Sequence, residues 1–188
     1  MDKLACATVA KVLGAFFYYS PNSQIVQPLI NPLLHIDKLI DWQNPSLISQ
    51  QCQTLMTEIS NTDLDYQFSL LFEGQGDMPV PPWGSVYLDQ EQLLMGESQE
   101  RYRQFLQQHG ITLNTGMNEP EDQFGLMLMA FALLLEKNQI SIAKQLINEH
   151  LLTWSSNYLE CLKNNDISQF YQSLAVIAQQ YLLMLSTL

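Results

Sequence analysis

Three observations predict an all-α fold, a single helical bundle spanning residues 1–188. Every long apolar pattern recurs at i, i+3 or i+4, and i+7, and none alternates with the period of two that a half-buried strand requires. Pro, Gly, Asn, Asp and Ser fall between these segments at helix-length intervals, where they stop one helix and cap the next. A chain of 188 residues is also the size of one domain, able to bury roughly 70% of its unfolded surface, and it shows no internal repeat or low-complexity linker.

The first helix is expected from Lys3 to Tyr19, with Val9, Val12, Leu13, Phe16 and Phe17 forming one stripe, and Ser20-Pro21-Asn22-Ser23 breaking it. A secretory signal is rejected for this stretch, because Lys11 interrupts the apolar run and no small-residue cleavage site follows. Pro28 and Pro32 cut residues 25–34 into short helical pieces, with Ile36, Leu39, Ile40 and Trp42 facing inward. Asn44-Pro45-Ser46 opens an amphipathic helix carrying Leu47, Ile48, Leu55, Met56 and Ile59. Asn61-Thr62-Asp63 caps the next, in which Leu64, Phe68, Leu71 and Phe72 share a face before Gly74 and Gly76 end it.

From Gln75 to Glu91 the helical period vanishes. Gly76, Pro79, Pro81, Pro82 and Gly84 alternate there with Val80, Trp83, Val86, Tyr87 and Leu88, predicting a long apolar loop. Two readings stand for it: a plug on the core, or the wall of a groove. Ser98-Gln99-Glu100 starts a helix with Tyr102, Phe105 and Leu106 inward, ending at a solvated His109 and Gly110. The next helix is expected to begin at Asn118-Glu119-Pro120-Glu121-Asp122-Gln123, with Pro120 in its first turn and Asn118 and Glu121 at the spacing of a capping box. Phe124 to Leu135 supplies its buried body, and Glu136-Lys137-Asn138 its end. Residues 140–152 then place Ile142, Ala143, Leu146, Ile147 and Leu151 inward, with Glu149 and His150 toward water. Trp154, Tyr158, Leu159 and Leu162 continue to Lys163-Asn164-Asn165. Asp166-Ile167-Ser168 precedes a last helix carrying Leu174, Ile177, Tyr181, Leu182 and Leu185.

Nineteen acidic against eight basic residues give a net charge of −11, which repels phosphate backbones and anionic membranes and attracts basic peptides. Cys6, Cys52 and Cys161 are odd in number and lack Cys-x-x-Cys, so buried thiols in a reducing cytoplasm are expected in place of a disulfide or zinc site. Phe124 to Leu135 would span about 18 Å as a helix, too short for a bilayer core. Gly84-Ser85-Val86 is not a nucleophile elbow. The chain also lacks His-Glu-x-x-His, a Walker loop and a dinucleotide fingerprint, so an enzyme is not expected. No motif requires a cofactor or metal, and the residues neither call for nor exclude a guanine nucleotide or the molybdenum cofactor.

Glu119, Glu121 and Asp122 carry more negative charge than one helix start needs. A cap alone explains some of it, and a cationic partner explains the excess. Glu-Pro-Glu-Asp-Gln at 119–123 resembles the Glu-Pro-x-Asp-His signature of the TorD/DmsD family, cytoplasmic chaperones for bacterial molybdoenzymes exported by the twin-arginine route. Pro81-Pro82-Trp83-Gly84-Ser85-Val86-Tyr87-Leu88-Asp89, followed by Gly96, is similar to a loop of the same family, and Gln123 stands where the family usually has His. The resemblance implies a cytoplasmic chaperone that binds the twin-arginine signal peptide of a molybdoenzyme catalytic subunit of the dimethyl sulfoxide reductase type. Tat translocase components are further candidate partners. It implies leader-binding roles for Glu119, Pro120, Asp122, Gln123, Leu71, Phe72, Pro82, Trp83, Tyr87 and Gly96. The chemistry is complementary, because carboxylates pair with guanidinium forks while aromatic surface receives the apolar part of a leader. The alternative function is a helical adaptor or assembly factor that grips the folded body of a partner enzyme, with the acidic cluster serving only as a cap.

Overall fold

A computed structural model describes residues 2–74, 78–89, 96–112 and 119–186. Among these residues the fold is all-α, with no strand longer than one isolated bridge. The helices are α1 (Lys3–Tyr18), α2 (Ile30–Leu34), α3 (Pro45–Glu58), α4 (Leu64–Phe72), α5 (Gly84–Leu88), α6 (Glu97–Gln108), α7 (Phe124–Glu136), α8 (Ile140–Gln145), α9 (Ser155–Lys163) and α10 (Gln169–Leu185). Among the described residues no helix is long and apolar enough to cross a membrane.

The bundle is built around the pairing of α1 with α7, with α10 packed on α3 and α9. Both α1 and α7 are apolar on nearly every side, which suits helices enclosed by others. Their crossing depends on two glycines: a Cβ on Gly14 would sit 2.7 Å from the Gly125 carbonyl oxygen, and one on Gly125 would overlap the Gly14 carbonyl. At this point backbone meets backbone. Phe17 then packs edge-on to Phe124, with ring centroids 4.9 Å apart, and also meets Phe72 and Tyr158, joining α1, α4, α7 and α9.

The expected helix boundaries agree closely with the fold at α1, α3, α4 and α10, where Asp2, Asn44, Asp63 and Ser168 are the N-caps, and at the end of α9, whereas its start after Trp154 was not expected. Gly74 and Gly110 adopt the positive φ that ends α4 and α6, while Gly76 lies outside the described residues. Five expectations are corrected. The apolar stretch after Pro82 is not all loop, since Gly84–Leu88 forms the short helix α5. The central helix does not begin at Pro120. It starts at Phe124, with Gln123 as its N-cap, so the acidic residues precede the helix and none lies in its first turn. The Asn118 half of the expected capping box lies outside the described residues. After α8 the backbone widens into a π turn at Leu146–Leu151, and His150 packs on aromatic rings instead of facing water. His109 is the C-cap of α6 as expected, but its ring lies edge-on to Phe105 and is only partly exposed. Cys6 and Cys52 are buried thiols as expected, whereas Cys161, expected to be buried, is exposed on the outer face of α9.

Candidate functional site

The two motifs singled out in the sequence meet. Trp83 and Gln123 form an antiparallel bridge, in which the Phe124 amide donates to the Pro82 carbonyl at 2.8 Å and the Gly84 amide donates to the Asp122 carbonyl at 3.1 Å. Proline suits the 82 position because its carbonyl accepts while the N–H it lacks is not needed. The bridge holds the N-termini of α5 and α7 side by side.

Each acidic-motif side chain has a different neighbour. Asp122 is 3% exposed, and its Oδ2 accepts from the Ser85 amide at 2.7 Å, satisfying a first-turn donor of α5. Its Oδ1 has no hydrogen-bond partner among the described residues. Burial pushes the Asp122 carboxyl above its usual range, and the Ser85 amide draws it back. Gln123 has a structural role: its Oε1 accepts from the Leu126 amide at 3.0 Å, capping α7, and its Nε2 donates to the Phe17 carbonyl at 2.8 Å. Glu121 is held by Arg103 of α6 through Nε and Nη2, both at 3.2 Å, and by the Gln99 amide group. That pairing occupies the carboxylate. Glu119 is half-buried; burial raises its carboxyl and the Tyr18 hydroxyl beside it draws it down. Pro120 is buried, and its carbonyl accepts from the Gln123 amide.

On the loop side, Trp83 is partly exposed, and its indole N–H has no partner among the described residues. Tyr87 is partly exposed and stacks on Trp154, with centroids 5.6 Å apart at an interplanar angle of 21°. Gly84 is required by the same tryptophan, since a Cβ there would lie 2.7 Å from Trp154 Nε1. Gly96 is the N-cap of α6, and a Cβ on it would overlap the Asp89 carboxylate, which accepts from the Ser98 amide and hydroxyl.

Thus Pro82, Trp83, Tyr87, Glu119, Pro120, Asp122 and Gln123 are gathered around one bridge, with Gly96 at its side. Leu71 and Phe72 are separate from this surface. Leu71 is fully buried, and Phe72 lies in the aromatic core against Phe17, Phe68 and Tyr171.

Beneath the bridge is a small cavity of about 30 Å³, lined in part by Asp122, Tyr102, Arg101, Glu149, His150 and Trp154. This is room for about one water-sized group. The Tyr102 hydroxyl is buried there with no hydrogen-bond partner among the described residues. His150 packs 5.3 Å from the Tyr102 ring and 4.8 Å from Phe105, and burial lowers its pKa. Sequence reading missed Tyr102 and His150 as neighbours of the motif, because a π turn leaves no mark in an apolar periodicity. Among the described residues no group of three or more His, Cys, Asp or Glu is placed to hold a metal ion.

The nitrate reductase delta subunit family matches residues 44–160 of the chain. The chain is 37% identical to the Tat proofreading chaperone DmsD of Salmonella typhimurium over 173 residues, covering 92% of this chain and 85% of that protein. It is 37% identical to the probable Tat proofreading chaperone DmsD of Haemophilus influenzae, over 89% of this chain and 83% of the other. Chaperone protein TorD of Vibrio cholerae is 33% identical over 54% of this chain and 50% of its own. The chain therefore belongs to the nitrate reductase delta subunit family, together with the TorD and DmsD chaperones.

Proposed function

We propose that this protein is a chaperone, not an enzyme, for twin-arginine-exported molybdoenzymes. It binds the twin-arginine leader of a catalytic-subunit precursor of the dimethyl sulfoxide reductase type, and holds it in the cytoplasm until cofactor insertion and folding are complete. The observation that carries this reading is the bridge between the two motifs: it pairs the partly exposed Trp83 with Gln123, puts the half-satisfied carboxylate of Asp122 at the start of the helix that carries Tyr87, and leaves Glu119 four residues before Gln123 on the same segment. Relatives named Tat proofreading chaperone support the same client chemistry. In this reading Glu119 and Asp122 take the leader arginines and the two rings take its apolar segment. Pro82, Pro120, Gln123 and Gly96 hold the surface in shape, while Leu71 and Phe72 act only in the core. Handover to Tat translocase components would follow at the membrane.

Titration calorimetry with a synthetic leader tests the proposal. Binding should weaken when both arginines are replaced by Gln, and should weaken with salt, because part of the attraction is screened over about 8 Å at physiological ionic strength. Equal affinity for the Gln-Gln peptide would remove the electrostatic half of the reading. If the leader fails to bind while the folded body of the enzyme binds, the chain is an adaptor of the second kind.

A further inference from the structure

At the opposite end of α7 from the motif bridge lies a half-open apolar cavity of about 220 Å³. It is lined by Cys6, Phe131, Leu135, Ile140 and Ala143, with Lys3 and Lys144 among its lining residues. Its surroundings are basic. Lys3, Lys11, Lys137 and Lys144 all belong to this corner of α1, α7 and α8, half of the eight basic residues of a chain whose net charge is −11. Asp2 and Glu136 are the acidic residues nearest in these elements. Asp2 caps α1, accepting from the Leu4 amide, and Glu136 pairs with Lys11 at 3.2 Å.

Part of this cluster has a structural reason. Lys137 and Lys11 sit at the C-terminal end of α7, and Lys144 lies in the last turn of α8, where cations offset the helix dipole. Lys3 does not share that reason. It occupies the first turn of α1, the positive end of the dipole, where a cation is unfavourable, and its ammonium donates to Asn138 Oδ1 at 3.0 Å across the α7–α8 turn. The result is an apolar recess with a charged rim, the anatomy of an interface with one buried anchor.

We infer that this corner is a second docking surface, which takes a protein segment presenting one apolar side chain flanked by carboxylates. The spread of the charges favours a segment over a single-headed amphiphile. Lys3 and Lys11 are separated by about 12 Å along α1, so several spaced carboxylates are complemented where a fatty acid would offer one. The inference is independent of the leader reading, since the two surfaces share no residue. It gives the chaperone a grip on a partner that its own acidity would otherwise repel.

The probe is the octapeptide Glu-Asp-Glu-Asp-Phe-Glu-Asp-Glu, acetylated and amidated, titrated by calorimetry or fluorescence anisotropy against the full chain. Saturable one-to-one binding is expected. It should weaken at least tenfold in the Lys3→Glu/Lys144→Glu double variant, and also in Ala143→Leu, which fills the recess. Affinity of each variant for the twin-arginine leader, together with the circular dichroism spectrum, reports whether it is folded; should Ala143→Leu unfold, the surface double variant alone decides. Wild-type protein that ignores the octapeptide at millimolar concentration would overturn the inference. So would equal binding of an analogue with Lys in place of every acid, or binding of decanoate in preference to the peptide.

Discussion

Two neighbouring contacts at the N-terminal end of α7 are stabilised by different means. Where α1 crosses α7, Gly14 and Gly125 bring backbone against backbone, Phe17 and Phe124 close the contact, and the one polar side chain at its edge, Gln123, spends both ends of its amide on backbone groups. Where the Pro82 loop meets the Glu119–Gln123 segment, the contact is polar: an isolated bridge, a buried carboxylate with one free oxygen, and a charged pair to α6. The first region has nothing left to offer a ligand. The second leaves the Asp122 Oδ1 and Trp83 Nε1 atoms unpartnered among the described residues, and a buried polar atom without a partner costs about 1–3 kcal/mol. A surface that binds is thereby distinguished from one that only holds, because its free energy is improved by an incoming donor or acceptor.

The largest expected effect is at the glycine crossing. Gly125→Ala pushes a methyl group into the Gly14 carbonyl, which cannot move without displacing α1. Overpacking of this kind costs about 1–3 kcal/mol, and the upper end is expected because the obstacle is backbone. Urea unfolding measures it. An unchanged midpoint would mean that the helices can slide apart freely, and the contrast between the two regions would collapse.

At the polar junction the next effect should appear in binding, with stability preserved. Trp83→Phe keeps an aromatic ring but shortens it, so leader affinity should fall by roughly 1–2 kcal/mol, about five- to thirty-fold, while the melting temperature stays near that of the wild type. Trp83 emission in the wild type should change during leader titration, and part of that change should be missing in the variant. Normal affinity with an intact fluorescence response would assign Trp83 to the core.

Asp122→Asn should change stability by at most about 1 kcal/mol, since the amide oxygen can still accept from Ser85. Its pH dependence has a definite sign. Burial raises the folded-state pKa above 3.8, so the native protein holds this proton more tightly than the unfolded chain does. Stability contributed by the neutral form is present below pH 3.8 and is lost as pH rises through the folded pKa. The variant should therefore be relatively more stable above that window than below it, while binding the leader less well. A variant that loses stability and keeps its affinity would reduce Asp122 to a cap for α5.

The smallest effect belongs to Arg103→Gln, which breaks the pair with Glu121. Both partners keep contact with solvent, so a loss of about 0.5 kcal/mol is expected, with leader affinity little changed or slightly improved as Glu121 is released. A large affinity loss would mean that Arg103 shapes the binding surface directly.

How much of this was legible in the chain follows from which signals are local. Apolar period, proline breaks and glycine stops are properties of neighbouring residues, so the all-α class and the bounds of α1, α3, α4 and α10 could be read directly. So could the two motifs, through residues that resemble a known signature. The start of α7 could not. Pro120 and three carboxylates have the local chemistry of a first turn, yet the chain makes one isolated turn there and is extended at Gln123, where its backbone is paired with Pro82 and Gly84 from far earlier in the chain. Asp122 caps α5, a helix the sequence did not announce, and Glu121 turns to Arg103 instead of its own helix. The same holds for the crossing, where Gly14 and Gly125 are ordinary helix-interior glycines until the two helices touch, and for His150, turned onto Tyr102 and Phe105 by a π turn. Residue order therefore determined the helices and the candidate residues, because those depend on contacts a few positions apart. Only the tertiary structure decided which polar group each carboxylate meets, since a buried carboxylate must find its donors in space and not in sequence.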